Sequence, residues 1–149
     1  DAFSAQTANE LVTAIDKLPI GWWYHRKKIN SIPTKGDPTA DYYFMGDRQM
    51  PPELKEVLEF LAPTVDNFKP AEICLNRYEV GTGMPEHIDR AIYRYNVVIP
   101  LCDHGDGLYV EDKFYQDNPG KGLILPMQSP PHEVPPVKTR RYTLIYLYE

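Results

Sequence analysis

Glu72-Ile73-Cys74-Leu75-Asn76-Arg77-Tyr78-Glu79-Val80 opens a series of short runs rich in Val, Ile, Leu and Tyr. The later runs occupy 95–101, 107–111, 122–127 and 140–148, each bounded by Gly, Pro or Asp clusters. Apolar runs of this length between such breakers read as strands, and their spacing is that of a jelly roll. The expected fold class is mainly β (α+β), a double-stranded β-helix of about eight strands. In a strand successive side chains alternate between faces. Within 140–148 that rule puts Arg141, Thr143, Ile145 and Leu147 together, with Arg140 on the opposite, solvated face; within 72–80 it groups Cys74, Asn76, Tyr78 and Val80.

Upstream, residues 4–18 carry Leu11, Val12, Ile15 and Leu18 at helical spacing, with Ser4 or Thr7 as cap and Pro19 just beyond. Pro51 and Pro52 open a second helix with Leu54, Val57, Leu58 and Leu61 on one face, closed by Pro63. Between the helices lies a loop-rich stretch with room for short strands. It holds Trp22, Trp23 and the basic run His25-Arg26-Lys27-Lys28. The expectation is one domain over 1–149: helical and loop support over 1–70, whose two helices buttress the barrel from outside, and a jelly-roll core over 71–149.

At 149 residues the chain is long enough for a hydrophobic core. Its 42% apolar and 25% charged residues exclude a disordered or fibrous chain. Sixteen basic against 21 acidic residues leave a net charge of −5, which disfavours nucleic acid as a partner. Cys74 and Cys102 stand in apolar, strand-like surroundings without metal-ligand spacing and read as free thiols of a reducing compartment. No window approaches the roughly 18 apolar residues of a membrane span, and no leader pattern opens the chain, so a soluble, cytoplasmic protein without a membrane partner is expected.

His87-Ile88-Asp89 sets an imidazole and a carboxylate on one face of an extended chain. With 4 His and 21 acidic residues among 149, roughly half a match of this kind arises by chance, so the pair alone points to a solvated surface. His132 changes the reading. It lies between a strand ending near Met127 and the final strand, and two His with one carboxylate from separate strands form the facial triad that suits non-haem Fe(II). His104 sits in the Gly/Asp turn His104-Gly105-Asp106-Gly107 and reads as exposed.

Tyr78-Glu79-Val80-Gly81-Thr82-Gly83-Met84-Pro85-Glu86-His87-Ile88-Asp89 resembles the Y-x-x-G-x-G-x-x-x-H-x-D segment of Fe(II)/2-oxoglutarate-dependent dioxygenases. His132-Glu133-Val134-Pro135-Pro136, followed by Arg141-Tyr142, resembles the H-E-V-x-P-x4-R-Y segment of the prolyl hydroxylases that act on hypoxia-inducible factor. The similarity covers about residues 72–148. It implies Fe(II), 2-oxoglutarate as cosubstrate and O2, with His87, Asp89 and His132 as iron ligands. Arg141 would pair with the distal carboxylate of 2-oxoglutarate, a role that suits a bidentate guanidinium. The same resemblance suggests Tyr78 as a 2-oxoglutarate contact, with Asn76 a second one and Thr143 on the same face as Arg141.

The implied activity is oxidative decarboxylation of 2-oxoglutarate to succinate and CO2, coupled to hydroxylation of a protein side chain, a prolyl one foremost. An AlkB-like nucleobase demethylase is the alternative, because Asn76-Arg77-Tyr78 and Arg141-Tyr142-Thr143-Leu144 are similar to that branch's N-x-Y and R-Y-N-L segments. Its second arginine is missing: Tyr146, Leu147 and Tyr148 stand in that region. A further alternative is a jelly-roll binding module without turnover. A protein or peptide acceptor is favoured over nucleic acid, and Trp22, Trp23, Tyr42 and Tyr43 are candidate exposed aromatics for an extended peptide.

Overall fold

The computed structural model describes every residue except Ala91 and 127–129. Helix α1 (Ala5–Asp16) starts where Ser4 Oγ accepts the Thr7 N–H at 3.1 Å, and it buries Ala8, Leu11 and Ile15. Helix α2 (Pro52–Phe60) starts on a proline, whose missing N–H costs nothing in a first turn. Its buried side chain is Leu58, with Leu54 and Leu61 half-buried beside it, while Val57 faces solvent.

Eleven strands follow among the described residues: β1 (Tyr24–Lys28), β2 (Ile32–Pro33), β3 (Thr39–Gly46), β4 (Glu72–Tyr78), β5 (Met84–Ile88), β6 (Tyr95–Pro100), β7 (Gly107–Val110), β8 (Lys113–Gln116), β9 (Leu123–Pro126), β10 (His132–Val134) and β11 (Arg141–Tyr148). They form two antiparallel sheets, ordered β1-β3-β4-β11-β6-β9 and β2-β5-β10-β7-β8. This is a double-stranded β-helix. The stretch read as loop-rich contributes strands to both sheets, so the count rises above eight. In β3 the run Ala40-Asp41-Tyr42 alternates buried and half-exposed side chains, and Tyr43–Gly46 pair with β4, a tertiary pairing that overrides the flanking turn residues.

The expected runs hold, most of them shorter by a residue or two at an end. Val80 lies beyond β4 and is 67% exposed, because Gly81 turns the chain with φ +84° and the Thr82 N–H closes onto the Glu79 carbonyl. Met127, expected at the end of the 122–127 strand, falls outside the described residues. Gly83 is a place of close approach: a Cβ there would sit 2.3 Å from the Val134 carbonyl oxygen. The turn after β4 thus presses against β10 and carries β5 beside it.

The described residues form two buried cores. One lies between the larger sheet and the helices and holds Ile15, Leu58, Leu75, Leu144 and Tyr146; the other lies within the barrel and holds Ile29, Tyr42, Tyr78, Met84 and Val134. Trp23 and Tyr42 are buried, so of the aromatics considered for a docking peptide only Trp22 and Tyr43 reach the surface. β11 packs one face, Tyr142, Leu144, Tyr146 and Tyr148, into the first core and turns the other into the barrel. Tyr142 donates to the Asp16 carboxylate, Tyr146 to the Leu58 carbonyl at 2.6 Å and Tyr148 to the Pro63 carbonyl, which ties the strand to the ends of both helices. Cys74 and Cys102 are buried free thiols, as expected.

Candidate metal centre

β5 and β10 run antiparallel with His132 directly opposite His87, and the ring centroids stand 4.2 Å apart. Asp89 follows the end of β5. Its Oδ1 lies 3.9 Å from His87 Nε2 and 3.5 Å from His132 Nε2. One ligand atom from each residue falls within 4.8 Å of the others.

The orientation of each ring is fixed from behind. His87 Nδ1 meets the Pro85 carbonyl and His132 Nδ1 meets the Pro130 carbonyl, both at 2.8 Å. A carbonyl can only accept, so each Nδ1 carries a proton and each Nε2 is turned inward, where its lone pair would be offered to a metal ion. Asn96 Nδ2 donates to Asp89 Oδ2 at 2.5 Å, which leaves Oδ1 toward the two imidazoles. Burial, reinforced by the neighbouring His132, brings His87 down to about 4, so it is neutral at physiological pH. Burial acts on His132 in the same direction, but the Asp89 carboxylate outweighs it and raises its pKa above the usual histidine value.

These three residues stand in the wall of a cavity of about 300 Å³ inside the barrel. Asn76 and Tyr78 enter from β4, and Arg141 and Thr143 enter from β11, so the seven residues singled out from sequence line one cavity. Cys74 shares it, its thiol pushed up to about 12 by burial. Burial likewise raises the Tyr78 hydroxyl, which remains a neutral donor. His104 is exposed and makes no part of the cavity.

Arg141 is 2% exposed and already paired: Nε and Nη2 donate to the two carboxylate oxygens of Asp117 at 2.8 and 2.9 Å. Burial disfavours both charges, and it pushes the Asp117 carboxyl up against the pull of Arg141. Around Arg141 the same burial is outweighed by Asp117, which holds the guanidinium firmly protonated. The guanidinium carbon lies 5.7 Å from the Tyr78 ring centroid. Sequence reasoning missed Asp117 and Asn96. A buried arginine requires a carboxylate, but nothing in the spacing says which of 21 acids supplies it. Arg140 does lie on the opposite face, though it is engaged there rather than merely solvated: Nε sits 3.0 Å from Glu79, and Nη1 is 3.6 Å from Asp16.

No family model matches the chain, and no curated protein matches it in sequence. Solved structures do match in fold. A 2-oxoglutarate-Fe(II) oxygenase family oxidoreductase from Burkholderia pseudomallei superposes with a TM-score of 0.66 at 17% identity, covering 98% of this chain and 80% of that one. A prolyl-4-hydroxylase from Pseudomonas putida gives 0.63 at 16% identity, over 99% and 88%. A Trichoplax adhaerens prolyl hydroxylase, in complex with a peptide fragment of the hypoxia-inducible factor oxygen degradation domain, gives 0.58 at 18% identity, over 98% and 79%. The superfamily and branch that the motifs resemble are thus the ones whose fold this chain shares.

The donor set fits a first-row divalent ion: two imidazole nitrogens and one carboxylate oxygen, clustered on one side and backed by hydrogen bonds that aim them inward. Three protein ligands on one side leave the remaining positions of such an ion open to small molecules.

Proposed function

We propose that this chain is an Fe(II)- and 2-oxoglutarate-dependent dioxygenase that hydroxylates a protein side chain, with a prolyl residue as the leading acceptor. The observation that carries the reading is the pairing of two inward-facing Nε2 atoms and one carboxylate oxygen with a buried arginine in the same cavity.

His87, Asp89 and His132 would hold the iron, which with 2-oxoglutarate and O2 supplies oxidative decarboxylation coupled to C–H hydroxylation. The chain's own contribution is positioning and exclusion of water. Asn96 keeps Asp89 from rotating, and the Pro85 and Pro130 carbonyls keep both rings in the ligating tautomer. Among the described residues Arg141 makes its hydrogen bonds through Nε and Nη2, which would leave Nη1 to a cosubstrate carboxylate in the cavity. The Tyr78 and Thr143 hydroxyls and the Asn76 amide share that cavity and can add neutral hydrogen bonds.

A peptide acceptor is favoured over a nucleobase. The charge of −5 offers no broad basic face, and the Trichoplax adhaerens neighbour holds a peptide. Where the demethylase-like pattern wants a second arginine, Tyr146 and Tyr148 are fully buried against the helices.

The test is succinate formation by purified protein supplied with fresh Fe(II), 2-oxoglutarate and O2, alongside anaerobic 2-oxoglutarate binding. Metal-dependent binding and succinate above the enzyme-free rate are expected. Absence of both overturns the reading.

A further inference from the structure

Arg26 stands where two hollows meet. It lines the metal cavity, and it also lines a groove of about 670 Å³ along β1 walled by Tyr24, Lys28, Asn30 and Phe44. Asn30 and Phe44 are common to both as well, so the groove leads into the cavity. The guanidinium carbon lies 3.9 Å from the centroid of the Phe44 ring, and Nη1 donates to the Tyr42 hydroxyl at 3.3 Å. An aromatic face and a neutral hydroxyl hold this cation in place without neutralising it. Among the described residues Arg26 has no carboxylate partner, whereas its neighbours His25 and Lys27 share Asp41. The other arginine of the cavity, Arg141, already holds a carboxylate, that of Asp117.

β1 is also the end strand of its sheet, paired with β3 alone, so its outer edge presents backbone donors and acceptors. An exposed edge next to a cavity is the geometry that captures an extended peptide by strand addition, with side-chain pockets supplying selectivity.

We propose that the groove along β1 receives the acceptor as an extended peptide and that Arg26 selects an acidic side chain close to the residue entering the cavity. The proposal rests on the dioxygenase reading for what happens at the metal, while the binding step can be measured without it. A run of phosphates would need several unpaired cations, and here Asp41 already engages two of the four basic residues of β1.

The experiment pans a random peptide library displayed on phage against the full chain, with parallel selections on Arg26→Gln and Arg26→Glu. Enrichment of Asp and Glu at one position is expected for the parent, its loss in Arg26→Gln, and a swing toward Lys and Arg in Arg26→Glu. A selected peptide should bind Arg26→Gln about ten-fold more weakly than the parent. That corresponds to the ~1.4 kcal/mol of one charge-assisted contact. If Arg26→Glu fails to fold by thermal melt, Arg26→Lys replaces it and should keep the acidic preference. No enrichment, or acidic enrichment that survives in Arg26→Gln, overturns the proposal. So does salt-sensitive binding of a single-stranded oligonucleotide in place of any peptide. Acidic enrichment with neither succinate formation nor metal-dependent 2-oxoglutarate binding would sink the dioxygenase reading and leave the groove standing; succinate without enrichment would do the reverse.

Discussion

Replacing Asp117 with alanine should cost the protein roughly 3–5 kcal/mol, the penalty for stranding the other half of a buried ion pair. Both side chains are 3% exposed, and two charge-assisted hydrogen bonds join them. Losing two such bonds, each worth about 1.5–3 kcal/mol, reaches the same figure independently. A chain of 149 residues unfolds with an entropy of about 0.3 kcal/mol/K, so the melting temperature should fall by about 10–16 °C. Urea unfolding followed by circular dichroism measures the first quantity and calorimetry the second. Asp117→Leu combined with Arg141→Leu should recover most of the loss, since it removes the stranded charge along with its partner. With metal present, 2-oxoglutarate should rescue Asp117→Ala more than it stabilises the parent, because its distal carboxylate meets a guanidinium with no other counter-charge. A loss below about 1 kcal/mol for Asp117→Ala, or a double variant no better than the single one, would refute the argument that this pair is buried and mutually dependent.

Four further outcomes follow from the geometry. His87→Ala, Asp89→Ala and His132→Ala should each abolish high-affinity Fe(II) binding in an anaerobic titration, while His104→Ala, in its exposed turn, should bind as the parent does. Asn96→Ala should weaken metal affinity about 10–100-fold without unfolding the chain, because it frees Asp89 to rotate; the same titration reads it. Tyr146→Phe should cost about 1–2 kcal/mol in urea unfolding, since it strands a carbonyl of the last turn of α2, and should leave metal affinity unchanged. Burial pushes the Glu79 carboxyl up, but Arg77 and Arg140 outweigh it and set it below its ordinary 4.5. Its contribution is therefore present above about pH 4.5 and fades as pH falls through the lowered value, so Glu79→Gln should flatten the acid limb of a stability–pH profile by up to about 1 kcal/mol.

The strand rhythm of 140–148 and the His87-Ile88-Asp89 spacing were readable because both depend on neighbours in sequence, where the alternation of side chains holds without knowledge of the rest. β11 indeed sends Arg141, Thr143, Ile145 and Leu147 to the cavity, as that alternation requires. What escaped depends on distant pairing. β10 is three residues long and β5 contains Pro85, so neither shows a run of its own; each is a strand because its neighbour supplies the hydrogen bonds. β3 carries β-branched and aromatic residues, but the turn signals on either side masked them until β4 was seen beside it. Asp117 and Asn96 belong to the same class: each is defined by the partner it holds, Arg141 at 24 residues' distance and Asp89 at seven. Arg26 was visible only as a member of a basic run, and its difference from His25 and Lys27 comes from the place of Asp41 across the strand pair.

The tyrosines of β11 have a consequence for strand register. Sliding β11 by one residue against β4 would exchange every cavity residue for a helix-facing one, bringing Tyr142 where Arg141 belongs and sending Arg141 into an apolar layer. Three hydroxyls of fixed reach, meeting Asp16, Leu58 and Pro63 on the helical side, are satisfied together at one setting of the strand. They act as index pins. Helices that touch no cosubstrate thereby determine, across the thickness of one strand, where the arginine in the cavity stands.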